Sequence, residues 1–144
     1  MTLPLGARFS VASMLISELA REAGVTTKAV RYYESIGLIA AERRPNGYRE
    51  YGDGDVRLVR EIRDLGALGI RVEQSRPFLE CLVAGHGKGD DCADARAIYR
   101  AAIAEFDTRI AELTERRDAV AALLDDAFER VDPECGCVRA EVGA

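Results

Sequence analysis

Apolar positions between residues 17 and 39 recur at helical spacing in two short runs separated by a glycine. Leu19, Ala20 and Ala23 line one face of the first run, and Val30 and Tyr33 back the second. Residues three and four apart share a helical face, so Lys28, Arg31, Tyr32 and Ser35 project from the opposite side of that second run. Ser17 is the predicted N-cap of the first helix, Gly24 its terminator and Thr26 the cap of the next. Ala20 is small where the two helices meet, so their backbones can approach closely. This is a helix-turn-helix pattern. Ile36-Gly37-Leu38 ends the second helix, with Gly37 free to adopt the left-handed conformation that a helix C-terminus often requires.

Asn46-Gly47 follows at once and is a strong hairpin signal, since both residues tolerate positive φ. Arg43 and Arg44 precede it, and Tyr48, Arg49 and Tyr51 follow, so the predicted hairpin is a basic, aromatic wing. Arginine donates paired hydrogen bonds to phosphate or guanine, and tyrosine offers a hydroxyl to phosphate and a ring to sugar. A charged hairpin alone is ordinary solvated surface. Beside a helix-turn-helix it reads as half of a grip on duplex DNA. The candidate contacts are Thr27, Lys28, Arg31 and Tyr32 on the helix, with Arg43, Arg44, Tyr48, Arg49 and Tyr51 on the wing.

Beyond the wing, Asp53 or Asp55 is placed to cap a helix whose inner face is Leu58, Val59, Ile62 and Leu65. A further helix is expected over residues 72–83, but Pro77 requires it either to begin late or to bend. AGHGKGDD at 84–91 then reads as a glycine-rich joint. After it, positions 92, 96, 99, 103, 106, 110, 113, 117, 120, 124 and 127 alternate four and three apart, and nine of the eleven are apolar or thiol. A heptad stripe on a helix roughly 54 Å long, at about 1.5 Å per residue, has too little head to bury against. It calls for a second chain.

Composition and charge refine this picture. The chain has 144 residues, 48% hydrophobic and 31% charged, ordinary for a folded protein. No apolar run approaches the ~20 residues that span a bilayer, and residues 1–13 lack the pattern of a secretory signal. The expectation is a cytoplasmic protein with no membrane partner. The net charge of −5 is unevenly spread: residues 1–76 carry 12 basic against 10 acidic side chains, and residues 77–144 carry 8 against 15. The basic excess is concentrated over residues 21–49, where six basic face three acidic residues. No nucleophile–base constellation or phosphate loop is evident, so an enzyme is not expected.

Four motifs together resemble the MerR (mercury-resistance regulator) family of transcription regulators. They are Ile16-Ser17-Glu18-Leu19-Ala20, the run from Lys28 through Arg31-Tyr32-Tyr33-Glu34 to Gly37-Leu38, Asn46-Gly47-Tyr48-Arg49-x-Tyr51, and Asp55-Val56 followed by an amphipathic helix ending at Leu68-Gly69. The resemblance covers roughly residues 15–128 and is strongest over 15–69. It implies a mainly α fold: a winged helix-turn-helix head with a second helix pair, then a long antiparallel coiled-coil dimerisation helix. The implied divisions are a mobile N-terminal arm (1–13), the DNA-binding domain (14–84), the joint (85–91), the dimerisation helix (92–130) and a cysteine-containing effector tail (131–144). The implied partners are a second copy, double-stranded promoter DNA with a near-palindromic site, and RNA polymerase. The implied mechanism is activation by distorting promoter DNA whose −35 and −10 elements are badly spaced.

The effector rests on cysteines. In a reducing compartment thiols serve more often as ligands, sensors or core residues than as disulfides. Cys81 lies on an apolar helical face and reads as core, and His86 in the glycine-rich joint reads as solvated. Cys92 opens the long helix, where the dipole favours thiolate. Cys135 and Cys137, separated by one glycine, form a workable chelate pair. In the antiparallel dimer implied by the resemblance, they approach Cys92 of the other subunit. The candidate metal ligands are therefore Cys92, Cys135 and Cys137, with a thiophilic ion as effector. Family members sensing divalent metals carry a cysteine at the start of this helix, which favours Zn, Cd, Pb or Hg. The family's usual sensors place a first loop cysteine near Ala127 or Phe128 and a second about ten residues later, whereas the pair here is later and tighter. The alternative is a thiol-redox-responsive regulator of the same family with no metal effector.

Overall fold

A computed structural model describes residues 13–130; Cys135 and Cys137 lie outside the described residues, as does nearly all of the expected arm. The elements in chain order are α1 (Ile16–Ala23), α2 (Thr27–Ser35), β1 (Glu42–Arg43), β2 (Arg49–Glu50), α3 (Asp53–Ala67), a 3-10 turn (Val72–Ser75), α4 (Arg76–Val83) and α5 (Ala93–Glu129). The chain divides into two units, Met1–Ile103 and Ala104–Ala144. Among the described residues no helix is long and apolar enough to cross a membrane.

The first unit is assembled by the apolar stripes. Leu19, Ala20 and Ala23 of α1, Val30 and Tyr33 of α2, and Leu58, Val59 and Ile62 of α3 are all buried in one cluster. Leu65, Phe78 and Ala95 form a second cluster, against which Tyr99 packs with its ring centroid 5.0 Å from that of Phe78. Burial of each large side chain stabilises the fold by roughly 1.5–3 kcal/mol before entropy is counted.

Several local expectations change in detail. Helix α1 starts earlier than the Ser17 cap implied: Leu15 holds the N-cap position, and the Glu18 carboxylate accepts from the Leu15 N–H at 2.8 Å. Thr26 does cap α2, accepting from the Ala29 N–H at 3.1 Å, and Gly24 and Gly37 sit at φ +72° and +75°. Neither Asp53 nor Asp55 is the N-cap of α3. Gly52 is, and the Asp55 carboxylate reaches back to accept from its N–H at 2.8 Å. The helix expected over 72–83 begins late, so Pro77 falls in the first turn of α4, where its missing N–H costs nothing.

The wing is an antiparallel pair with Glu42 opposite Glu50 and Arg43 opposite Arg49. Its turn differs from the two-residue type that Asn46-Gly47 favours, because only Gly47 has positive φ. The Arg44 N–H donates to the Tyr48 carbonyl at 3.0 Å and the Gly47 N–H to the Arg44 carbonyl at 2.9 Å. Pro45, Asn46 and Gly47 thus make a three-residue loop, a tight turn with proline in its favoured second place followed by a left-handed glycine.

Candidate nucleic-acid interface and a thiol cluster

Helix α2 presents Lys28, Arg31 and Tyr32 to solvent, with Thr27 half-buried at its start. Its other face is anchored by Val30 and Tyr33. Three arginines outside the interface hold the pair in position. Arg60 and Arg63 donate to the carbonyls of Glu22 and Ala23 at 2.8 and 2.7 Å, and Arg76 donates to those of Ile36 and Gly37 at 3.2 and 3.3 Å. Each places a cation at a helix C-terminus, where unpaired carbonyls and the dipole favour it. Sequence reasoning missed these supports. Their partners lie 38 to 40 residues away, so no local pattern signals them.

The wing brings Tyr48 and Arg49 to the same side. Arg31, Tyr48 and Arg49 line one open groove with Ile16 and Ser17 at the start of α1. Arg49 pairs with Glu34 at 3.2 Å, and Arg44 pairs with Glu50. Hydrogen bonds from Ser13 and then Arg44 hold the Glu50 carboxyl below its usual range. Both arginines are exposed and their glutamates half-buried, and pairs at the surface contribute little, so they can give way to phosphate. Among the described residues Lys28, Arg31 and Arg43 enter no salt bridge.

Two tyrosines depart from expectation. Tyr51, assigned to the DNA surface, is only 2% exposed and belongs to the core. Its backbone pairs with Met14 through hydrogen bonds of 2.9 and 3.0 Å, which pulls the side chain inward under the wing. That correction removes Tyr51 from the contact set. Tyr32 remains exposed, but its hydroxyl donates to Glu73 at 2.6 Å, and this bond raises the phenol pKa and lowers that of Glu73. The ring is available; the proton is already committed.

At the other end of the head, the chain joins residues expected to act separately. Cys81, on the buried face of α4, is disulfide-bonded to Cys92, which immediately precedes α5, and the two Cα atoms are 5.9 Å apart. Cys81 is indeed core, at 2% exposed. His86, read as solvated, is exposed, yet its imidazole and the two sulfurs lie within 4.8 Å of one another. Two sulfurs and an imidazole are a donor set that suits soft or borderline cations. The spacing Cys-x4-His-x5-Cys was visible in the chain, but a glycine-rich segment offered no reason to expect it to fold back.

Comparison with known proteins places this geometry. The description "MerR family regulatory protein" matches residues 15–51. The transcriptional regulator HmrR of Rhizobium leguminosarum bv. viciae is 37% identical over 122 residues, 85% of this chain and 92% of that one. Heavy metal-dependent transcription regulator 2 of Rhizobium meliloti (strain 1021) is 35% identical over 123 residues, covering 85% of this chain and 82% of that one. Among solved structures, PbrR691 from Ralstonia metallidurans CH34 in complex with lead(II) superposes with TM-score 0.64 at 27% identity, over 78% of this chain and 86% of that one. HiNmlR, a regulator bound to promoter DNA, shares the fold at TM-score 0.50 and 21% identity, over 74% and 80% of the two chains.

Proposed function

The chain belongs to the MerR family of DNA-binding transcription regulators, and from that premise we propose that it is a homodimer that senses a thiophilic metal ion and activates a promoter by distorting its DNA. The observation that carries the DNA-facing half is the convergence of Arg31 on α2 with Tyr48 and Arg49 of the wing on a single groove. Thr27, Lys28, Arg31 and Tyr32 enter the major groove; Arg43, Arg44, Tyr48 and Arg49 hold phosphate. The exposed apolar side chains of α5, among them Ile103, Ile110, Leu113 and Val120, supply the seam for a second copy. Residues 14–84 then act as the reading head, 85–91 as the joint, 92–130 as the dimerisation helix and 131–144 as the effector tail.

The metal-sensing half rests on Cys92, a half-buried sulfur at the threshold of the dimerisation helix, with Cys135 and Cys137 as its expected companions. A divalent ion, one of Zn, Cd, Pb or Hg, suits sulfur ligands. The lead(II) complex of PbrR691 and the heavy-metal names of the relatives support this class of effector. Metal binding at the joint would bias the geometry of the two heads, and the cost of untwisting the central base pairs would be met through contacts that RNA polymerase then exploits. One observation favours a second reading. The Cys81–Cys92 disulfide fits a thiol switch in which two thiols pass two electrons and two protons to a peroxide or a small disulfide.

The test is binding of the reduced dimer to duplexes selected in vitro for affinity, followed across a salt titration. Arg31→Ala should weaken binding by about 1–3 kcal/mol and reduce the salt slope by roughly one. An unchanged slope removes Arg31 from the interface. Run-off transcription from the selected promoter, with and without Zn(II) or Cd(II), separates metal activation from the redox alternative.

A further inference from the structure

We propose that Cys81, His86 and Cys92 of a single chain form a thiophilic-metal site, loaded when the two thiols are reduced and closed when they are joined as a disulfide. The inference rests on the metal-sensing reading for its regulatory meaning. It replaces the expected companions of Cys92, moving the first ligand set from the tail and the partner subunit into one head.

Three donor atoms lie within 4.8 Å of one another. A disulfide alone would need no imidazole beside it. Thiolates bound to one tetrahedral zinc sit about 3.8 Å apart at the usual ~2.3 Å bond length. Once the disulfide is reduced, side-chain rotation across a Cα–Cα distance of 5.9 Å can reach that separation.

The joint that carries the site is pinned, despite its glycines. Gly85 takes φ +96° and turns the chain after α4, and the His86 N–H donates back to the Cys81 carbonyl at 3.3 Å. The Arg57 guanidinium donates to the carbonyls of His86 and Gly87. The Lys88 N–H donates to Asp91 Oδ2 at 2.9 Å, and Arg96 donates to the Asp91 carbonyl at 3.1 Å. Gly89 is seated so tightly that a Cβ there would meet Glu61 Oε1 at 2.5 Å and the Phe78 Cβ at 3.1 Å. The loop's backbone thus presents His86 over the two sulfurs by bonds that do not involve the metal, a preorganised arrangement.

Access is graded. Cys81 is buried, Cys92 half-buried and His86 exposed, so an ion enters past the imidazole. Three protein ligands leave one position of a tetrahedral ion open, as in exchangeable sites and unlike closed structural ones. Opening the disulfide consumes two electrons and two protons from a dithiol reductant, which becomes a disulfide itself. Metal binding then releases both thiol protons and takes His86 as the neutral imidazole. The site ties the last residues of the head to the first of α5, so oxidation and metal compete for one joint.

Titrating Cd(II) into the reduced full-length protein, read by thiolate-to-metal absorbance, should show one ion per chain. Uptake should persist in Cys135→Ser/Cys137→Ser, disappear in Cys81→Ala, and weaken at least about tenfold in His86→Ala, roughly one lost ligand's contribution. The air-oxidised protein should take up none at this site. Because Cys81 is buried, circular dichroism accompanies its variant, and the exposed His86 decides if Cys81→Ala does not fold. Uptake lost in the tail variant, or unchanged in both Cys81→Ala and His86→Ala, overturns the proposal. Cd(II) uptake as described with no change in run-off transcription would leave the site standing and overturn the metal-sensing reading.

Discussion

Helices α3 and α5 are written in the same code and meet opposite fates. The stripe on α3, with Ile62 at its centre, is sealed inside the first unit at 1% exposure, whereas Ile110 on α5 stands 60% exposed. Periodicity reports that a helix has an apolar face; it does not report what covers that face. Contiguous exposed apolar surface of this kind marks an interaction site. The head buries its own stripe, and on the proposed reading the long helix buries its stripe against a second copy.

Substituting one isoleucine in each helix breaks the comparison most forcefully. Ile62→Ala should lower the unfolding free energy by about 2–5 kcal/mol through lost burial and a residual cavity. The loss should be the same at every protein concentration. Ile110→Asp should leave the head folded but convert dimer to monomer, weakening duplex binding by about 100-fold or more as the two heads lose their linkage. Sedimentation against concentration checks this: a monomeric wild type, or an unaltered dimer in the variant, would contradict the assigned role of α5.

The same contrast explains how much of the molecule was legible in the chain. Helical runs, the helix end at Gly24, the Thr26 cap and the left-handed Gly37 are local matters, decided by residues within one turn of each other, and they were read correctly. Some errors are local too, since the N-caps are Leu15 and Gly52 where Ser17 and Asp53 or Asp55 were expected; the larger ones lie where distant chain segments meet. Tyr51 looked like a wing residue until its pairing with Met14, 37 positions earlier, turned it inward. The turn at Pro45-Asn46-Gly47 follows from a proline whose fixed φ selects the longer loop. Cys81 and His86 were read one at a time as core and solvent, and each burial was right. Their closeness to Cys92 depends on Arg57 of α3, which holds the His86 and Gly87 carbonyls, and on Gly89, seated against Glu61 of α3 and Phe78 of α4, and no spacing rule encodes those contacts.

A smaller effect sharpens the account of the head's interior. Asp55 is buried, one of its oxygens accepts from Gly52, and the other has no partner among the described residues. Burial pushes its pKa up to about 6, with the Gly52 hydrogen bond opposing and Glu42 adding a little. The folded value exceeds the unfolded one, so the fold favours the protonated acid. This group's contribution is greatest below about pH 4, declines as the pH rises toward 6, and is level above that. Asp55→Asn keeps an acceptor for Gly52 and cannot ionise. Its unfolding free energy should lack a decline of up to about 3 kcal/mol between those limits. Parallel pH profiles for the two proteins would show that Asp55 ionises as readily in the fold as outside it.

Gly47 provides the finest distinction, because at the wing tip conformation and packing can be separated. Its φ is +84°, and a Cβ built there would meet nothing within 4 Å. Any loss on substitution is therefore the cost of left-handed backbone alone. Alanine should cost about 1 kcal/mol, and asparagine less, since its short polar side chain tolerates that region better. Thermal unfolding should rank glycine above asparagine above alanine, and duplex affinity should follow the same order if the turn aims Tyr48 and Arg49. Equal losses for asparagine and alanine would mean that the side chain itself obstructs the duplex. The wing would then resemble α5 more than α3: a surface whose fit is decided by its partner.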